Sequence, residues 1–339
     1  LIRSYEMTIS RQDRPAVGVV IGDPAGIGPE VVAKAWLTGK LHEDCRPVLI
    51  GSAAAMERAL GFIGKTARIN VITDPAKVPS ALSDQVDTLD ILDTGRMQDD
   101  ALPLAEDTAV GGRVSADWLD EADQLARSGQ LAATVMGPIS TGSMKMAGTL
   151  DKVVSVVPGE SYLLLVSGAL RVAHLTDHMA LRDVCDVINQ DLVALTLRKL
   201  DAVMREWGIA KPRIVVAGLN PHAMGREDSE QIAPAVAQVR AEGIDAIGPM
   251  SPDTVFRQCI EGRFDIVLAM FHDQGHIAIK TWGFAGNSAI ILGPPYTHLS
   301  VAHGTAFDIV GKNIADHSMI QSAIITGAYL AARRGFHSS

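Results

Sequence analysis

A chain of 339 residues, 47% of them apolar and 20% charged, can bury a sizeable core and is long enough for two domains. Its formal net charge of −9 argues against a general nucleic-acid binder, whose phosphate contacts need a basic face, although an acidic enzyme can hold an anionic substrate through local cations. No apolar run approaches the ~20 residues of a membrane span, the polar start "LIRSYEMTISRQDRP" has no signal-peptide core, and Cys45, Cys185 and Cys259, which lack CxxC spacing, read as reduced core thiols of a cytoplasmic protein.

Short β-rich runs alternate with helical patterns. "AVGVVIG" (16–22) leads into the helical "PEVVAKAWL", and "RPVLIG" (46–51) into "SAAAMERAL". A helix is predicted over 113–128, then a strand, "LAATVMG" (131–137). Next come "LRVAHLT" (170–176), a helix over 181–206, "RIVVAGL" (213–219), a helix over 227–242, "DIVLAMF" (265–271) and "SAIILG" (288–293). Apolar strands with helical crossovers predict an α/β fold, its mostly parallel sheet covered on both faces. There is no internal repeat and no low-complexity tract.

The first strand ends in "VVIGDPAGIGPE" (19–30), which invites comparison with a dinucleotide fingerprint. The glycine order is G-x-x-x-G-x-G, whereas the fingerprint is G-x-G-x-x-G. Pro29 suits the first turn of a helix. Glu30 then puts negative charge at the helix N-terminus, where it would repel a pyrophosphate. The segment therefore reads as a strand-to-helix turn, with Asp23 expected to be exposed at the cleft.

Ligands of open α/β sheets bind beyond the carboxyl ends of the strands. Three strand ends each deliver a histidine: "TDH" ends at His178, "NPH" at His222, and "FHDQ" holds His272. Neutral imidazole is the commonest nitrogen ligand of divalent transition metals, and a catalytic site uses three protein ligands with one open position. His178, His222 and His272 are therefore the candidate metal ligands. His174, inside its strand, and His276 are expected to be structural. Lys280 can bind a carboxylate or move a proton. Asp253 in "SPDTVF" reads first as a helix N-cap and second as a residue that orients a ligand.

"GDPAGIGPE", "GLNPHA", "GPMSPDTVF", "AMFHDQGHIAIK" and "VAHGTAFDIVG" together resemble the 4-hydroxythreonine-4-phosphate dehydrogenase family of vitamin B6 synthesis, over residues 16 to 331. The resemblance implies a two-domain fold like that of isocitrate and isopropylmalate dehydrogenases, with a cleft between the domains. It gives a first, discontinuous α/β domain of 1–140 plus 300–339, and a second of 141–299 carrying most metal and substrate residues. It also implies NAD-dependent oxidation of a β-hydroxy acid with loss of carbon dioxide, one divalent metal, and a homodimer with a shared active site. NADP is the alternative cofactor. Zinc is the first expectation for the metal, with nickel, cobalt, manganese or magnesium as alternatives. Lys280 matches the family's substrate lysine. "HGTAFDIVGKNIAD" resembles the adenine-side loop of isopropylmalate and isocitrate dehydrogenases, which assigns His303, Gly304, Thr305, Ala306 and Asp308 to the cofactor, with Asp316 nearby.

The chain departs from the family where phosphate is bound. Glu160-Ser161 stands where the family has a substrate-binding His-Thr, His298 where it has an arginine, and Ala289 where it has an asparagine. A phosphate dianion favours arginine's fork of donors. The expectation is therefore a catabolic enzyme of an unphosphorylated substrate, such as a terephthalate-type cis-dihydrodiol, with Glu160, Ser161, Lys280 and His298 against it. The alternatives are 4-hydroxythreonine-4-phosphate dehydrogenase itself, a phosphorylated threonate or erythronate dehydrogenase in which Arg226 or another residue holds the phosphate, and a non-catalytic metal-binding paralogue.

Overall fold

The computed structural model describes residues 13–97, 102–153, 156–283 and 286–337, so the polar N-terminal segment lies outside the described residues. Twelve strands form one sheet. They are β1 (Ala16–Val20), β2 (Arg46–Ile50), β3 (Arg68–Ile72), β4 (Thr88–Leu92), β5 (Ala133–Met136) and β6 (Tyr162–Ser167). After these come β7 (Leu170–His174), β8 (Ile214–Ala217), β9 (Ala246–Met250), β10 (Ile266–Ala269), β11 (Ser288–Leu292) and β12 (Thr297–Ser300). The order across the sheet is β3-β4-β2-β1-β5-β12-β11-β6-β7-β10-β8-β9.

The central strands are apolar throughout because both faces are covered: every residue of β1, β5, β8 and β10 is buried. Two long helices, Ala109–Arg127 and Ser318–Ala331, pack on the sheet, and a third, Gln190–Glu206, packs on the helix Ala233–Ala241 and meets β6 where Thr196 Oγ1 bonds Tyr162. The helix expected over 181–206 is two helices. Asn189 caps the second by accepting from the Leu192 amide at 2.9 Å, and this breaks the run. The helix expected over 227–242 begins as a π-turn, Asp228–Ile232, and becomes α-helical over Ala233–Ala241, with Pro234 in its first turn. No helix among the described residues is long and apolar enough to cross a membrane. Cys45 and Cys259 are buried thiols, whereas Cys185 is exposed, so the expectation of core thiols fails there.

Strand direction positions everything that follows. From β3 through β5 to β12 all pairings are parallel. Three antiparallel pairings follow, β12–β11, β11–β6 and β6–β7. Beyond them β7, β10, β8 and β9 are parallel again. Three reversals mean that the carboxyl ends of β1, β5 and β12 lie at one end of the sheet, and those of β7, β10 and β8 at the other.

At the first end the 22–28 turn is packed shut. Gly22 has φ +83° and a Cβ there would lie 2.3 Å from the Pro138 carbonyl oxygen; one on Gly28 would lie 2.1 Å from that of Ile21. The amides of Asp23, Ala25, Gly26 and Ile27 all donate within the chain, Ile27 to the Thr305 carbonyl at 3.0 Å. They are not free to cradle phosphate. Glu30 is buried, paired with Lys34 at 3.1 Å and accepting from the Gly311 amide at 3.2 Å. Asp23 is fully buried, not exposed as expected, because its carboxylate folds back to accept from Ala25; burial raises its pKa.

Candidate metal centre

β7, β10 and β8 are neighbours, so the segments that follow them carry His178, His272 and His222 at one end of the sheet. Asp177, His178 and His272 form a group whose ligand atoms all lie within 4.8 Å of one another. They line a cavity of about 380 Å³ together with Met179, Phe271 and Asp273. His222 stands at the adjoining strand end, outside that group, and Asp177 takes the third place.

The hydrogen bonds explain why these imidazoles can ligate. His178 Nδ1 lies 3.0 Å from Asp177 Oδ2, and His272 Nδ1 lies 2.7 Å from Asp273 Oδ1. A carboxylate only accepts, so both Nδ1 atoms carry the proton and both Nε2 atoms offer a lone pair. His222 reaches the same state by a relay. Ser251 Oγ donates to Asp253 at 2.5 Å, so it accepts from His222 Nδ1 at 3.1 Å. Asp253 therefore orients a histidine through Ser251. The N-cap role expected first for it falls to Thr254, which makes no side-chain cap bond. His222 and Ala223 hold φ of 55° and 56°, a left-handed pair of non-glycine residues of the kind that accumulates at functional sites. Asp177 Oδ1 is buried with no hydrogen-bond partner. Two imidazoles with Nε2 left unbonded, beside an orphaned carboxylate oxygen, fit a divalent cation.

The segment "HDQGH" builds this end residue by residue. His272 opens the helix His272–Trp282, and Asp273 holds its tautomer. Gln274 accepts from the Met270 amide at 2.7 Å and donates to the Gly218 carbonyl at 2.8 Å, tying the ends of β10 and β8 together. Asp228 receives the amides of Leu219, Asn220 and Gly225 at 2.7, 3.2 and 3.0 Å and so shapes the loop that carries His222. His276 and Lys280 follow His272 at four-residue steps on one helix face. Burial pushes His276 down to about 4, with further lowering by the charges of His272 and Lys280. His174, fully buried, is pushed down to about 3 by burial and then by His276.

The other expected residues sort by place. Glu160 and His298 line a second cavity of about 670 Å³, with Tyr162, Lys199, Trp207 and Tyr296. The start of β6 and of β12 puts it at the same end of the sheet as the histidines. His298 is buried and bonded through Nδ1 to Thr134 Oγ1 at 2.7 Å, and burial pushes it down to about 4, so it is neutral. Ser161 is buried and accepts from the Val157 amide at 2.8 Å. Ala289 lies in β11, opposite Ser300 of β12. Arg226 is paired with Glu230 at 2.8 Å on an exposed turn. His303, Gly304, Thr305, Ala306 and Asp308 form the loop after β12, at the opposite end of the sheet. There Thr305 touches Gly26, Ala306 has φ 43°, and Gly304 and Asp308 are exposed. Asp316 caps Ser318 at 2.8 Å. Sequence reasoning passed over Asp177, Ser251, Gln274 and Asp228 as site residues; adjacency to His178 was a usable signal only for the first.

A family model described as "Pyridoxal phosphate biosynthetic protein PdxA" matches residues 43–327. The chain is 60% identical over 332 residues to a Novosphingobium aromaticivorans protein provisionally named 4-hydroxythreonine-4-phosphate dehydrogenase, covering 98% of this chain and 99% of that one. It is 36% identical over 332 residues to the D-threonate 4-phosphate dehydrogenase of Cupriavidus necator, covering 94% and 98%. A solved 4-hydroxythreonine-4-phosphate dehydrogenase from Klebsiella pneumoniae superposes with TM-score 0.82 at 34% identity, covering 94% and 99%. A solved terephthalate 1,2-cis-dihydrodiol dehydrogenase from Burkholderia xenovorans gives 0.61 at 28%, covering 90% and 95%.

Proposed function

Because the chain belongs to the pyridoxal phosphate biosynthetic protein PdxA family, we propose that it is an NAD-dependent, divalent-metal-dependent dehydrogenase of a phosphorylated four-carbon hydroxy acid. Its relatives are named as dehydrogenases, and their named substrates carry the alcohol to be oxidised. The observation that carries the metal part is the donor set: His178 and His272 with Nε2 free and an unpaired Asp177 oxygen, with His222 oriented by Ser251 at the next strand end. A divalent cation held there would supply Lewis acidity toward the substrate's oxygens.

Oxidation of a secondary alcohol sends a hydride to the nicotinamide and a proton to a base. Lys280, exposed on the helix face that also carries His272, is placed to take that proton or to hold a carboxylate. The product is a β-keto acid, which can lose carbon dioxide. The electron pair of the broken C–C bond then forms an enolate, whose charge Lys280 can offset.

The two halves of this chemistry sit at opposite ends of the strands: the 303–308 loop follows β12, and the histidines follow β7, β8 and β10. This supports a homodimer in which one copy's loop brings NAD to the other's histidines. Mixing a Gly304→Trp chain with a His272→Ala chain, each inactive alone, should restore part of the activity; failure of the mixture would place both halves in one chain.

An unphosphorylated dihydrodiol, expected from the sequence, is the less supported reading. Relatives named for phosphorylated substrates match at higher identity, and the solved dihydrodiol dehydrogenase superposes less closely. One observation still favours it: at the two positions where the family has a substrate-binding histidine and an arginine, this chain has Glu160 and a neutral His298, so the cations left on that cavity are Lys199 and Arg333. NADH formation with D-threonate 4-phosphate, 4-phosphohydroxythreonine and terephthalate cis-dihydrodiol decides. Turnover of a phosphorylated acid is expected. Turnover of the dihydrodiol alone would overturn the phosphate assignment, and turnover of none, with NAD unbound, the dehydrogenase itself.

A further inference from the structure

Four imidazoles form a column from the core to the surface. His174 is fully buried, His276 nearly so, His272 about a quarter exposed, and His178 mostly exposed. The ring centroids are 4.7 Å apart from His174 to His276, 3.6 Å from His276 to His272, and 4.9 Å from His272 to His178. The middle pair is stacked, with planes 14° apart. His276 is anchored by its own helix, since its Nδ1 lies 3.1 Å from the His272 carbonyl oxygen, which can only accept. His174 is anchored by the sheet, with Nδ1 3.1 Å from the Leu163 carbonyl across the β6–β7 pair.

We propose that His276, backed by His174, is a positioning residue: its stacked ring fixes the plane of the His272 imidazole beside His178 and Asp177. The inference rests on the metal reading above and adds a role that the three histidines do not require. A histidine on the first residue of a helix can rotate about both side-chain bonds. Its other restraint, Asp273, is a mostly exposed carboxylate whose bond competes with water. A ring stacked at 3.6 Å from the buried side leaves sliding in the plane as the main freedom. Ligands held before the metal arrives lose less freedom on binding it. Gly275 completes the device. A Cβ there would lie 2.2 Å from His174 Nε2 and 2.7 Å from Val172 Cγ1, so only glycine lets the helix approach the sheet closely enough for this stack.

The test uses the full chain stripped of metal and titrated with Co²⁺ alone. It reads the dissociation constant by competition with a chromophoric chelator, and the d–d absorption spectrum. His276→Leu should weaken Co²⁺ binding about 10- to 100-fold, the range typical of lost outer-shell support, and change the d–d band. His276→Phe keeps a flat ring and should bind within about threefold of the parent, with the parent's spectrum. Gly275→Ala should behave like His276→Leu. Melting curves identify any variant that fails to fold, and His276→Asn then replaces it. Parent-like binding and spectrum in His276→Leu would overturn the positioning role, and so would equal losses in the Leu and Phe variants. His272→Ala separates the two levels: parent-like Co²⁺ binding there would remove the metal assignment itself.

Discussion

The two ends of the sheet look alike in sequence. Each is a set of loops following apolar parallel strands, rich in glycine, proline and polar residues. In the structure they differ in what their polar atoms do. At the 22–28 turn the amides are spent within the chain, Glu30 is paired, glycines bring backbone against backbone, and Asp23 Oδ2 is buried without a partner but has no histidine beside it in the turn. At the histidine end, Nε2 lone pairs and one buried carboxylate oxygen have no partner, and the backbone at His222 is held left-handed. A loop whose amides are spent within the chain holds a fold together, whereas a cluster of imidazoles with organised ring nitrogens can hold a ligand.

The contrast breaks first at His272. His272→Ala should lower turnover by more than about 10³-fold, since the cation's charge stabilisation is worth several kcal/mol, while the melting temperature stays near that of the parent. Asp177→Asn should follow with a roughly 10- to 100-fold loss of metal affinity, read by chelator competition. At the opposite end the signature inverts. Gly28→Ala drives a Cβ to 2.1 Å from the Ile21 carbonyl oxygen, between two backbones that cannot yield. Overpacking of this kind costs about 1–3 kcal/mol or more, so a lower melting temperature with unchanged Co²⁺ affinity is expected. A Gly28→Ala chain that melts like the parent but loses metal would merge the two regions.

How much of this was legible in the sequence depended on whether a signal was local. Seven strands were readable from their largely apolar runs, because burial on both faces leaves little room for polar residues, whereas β4 and β6 were not read although most of their residues are buried. β12, "THLS", was not, because its polar side chains are satisfied by other strands, His298 by Thr134. β3 and β9 have partly exposed faces and a weaker apolar pattern. The three histidines were legible because strand ends are where an α/β sheet binds its ligands. Their tautomer partners were less so. Asp177 and Asp273 are chain neighbours of the residues they orient, but Ser251 meets His222 only because β9 lies beside β8. Asp23 was misread because a carboxylate in a glycine turn can fold back on its own backbone, which spacing does not reveal.

A smaller effect separates the two cavities at the histidine end. His298 lines the larger one and is held neutral by burial, at about 4. The free imidazole titrates near 6.5, so below that the unfolded chain takes up a proton that the folded chain refuses. Stability is therefore complete above about pH 6.5 and falls as pH drops toward 4, by at most about 1.4 kcal/mol per pH unit for this one group. His298→Gln, which can keep a bond to Thr134, should flatten that limb of a denaturation series between pH 6.5 and 4 by about one proton's slope. An unchanged slope would mean that His298 is not held neutral, and would add it to Lys199 and Arg333 as a cation of this cavity.

The smallest expected effect sharpens the contrast most, because it touches no ligand. Ser251 connects His222 Nδ1 to Asp253 on an exposed surface, and its loss removes no packing. Ser251→Ala frees the His222 ring to turn and lets its proton move to Nε2, the atom a cation would need. The expected result is metal affinity about tenfold weaker with an unaltered melting temperature. Asp253→Asn, which keeps an oxygen to receive the Ser251 proton, should lose less. If both variants bind Co²⁺ as the parent does, His222 is no ligand, and Asp177 with His178 and His272 makes up the centre alone.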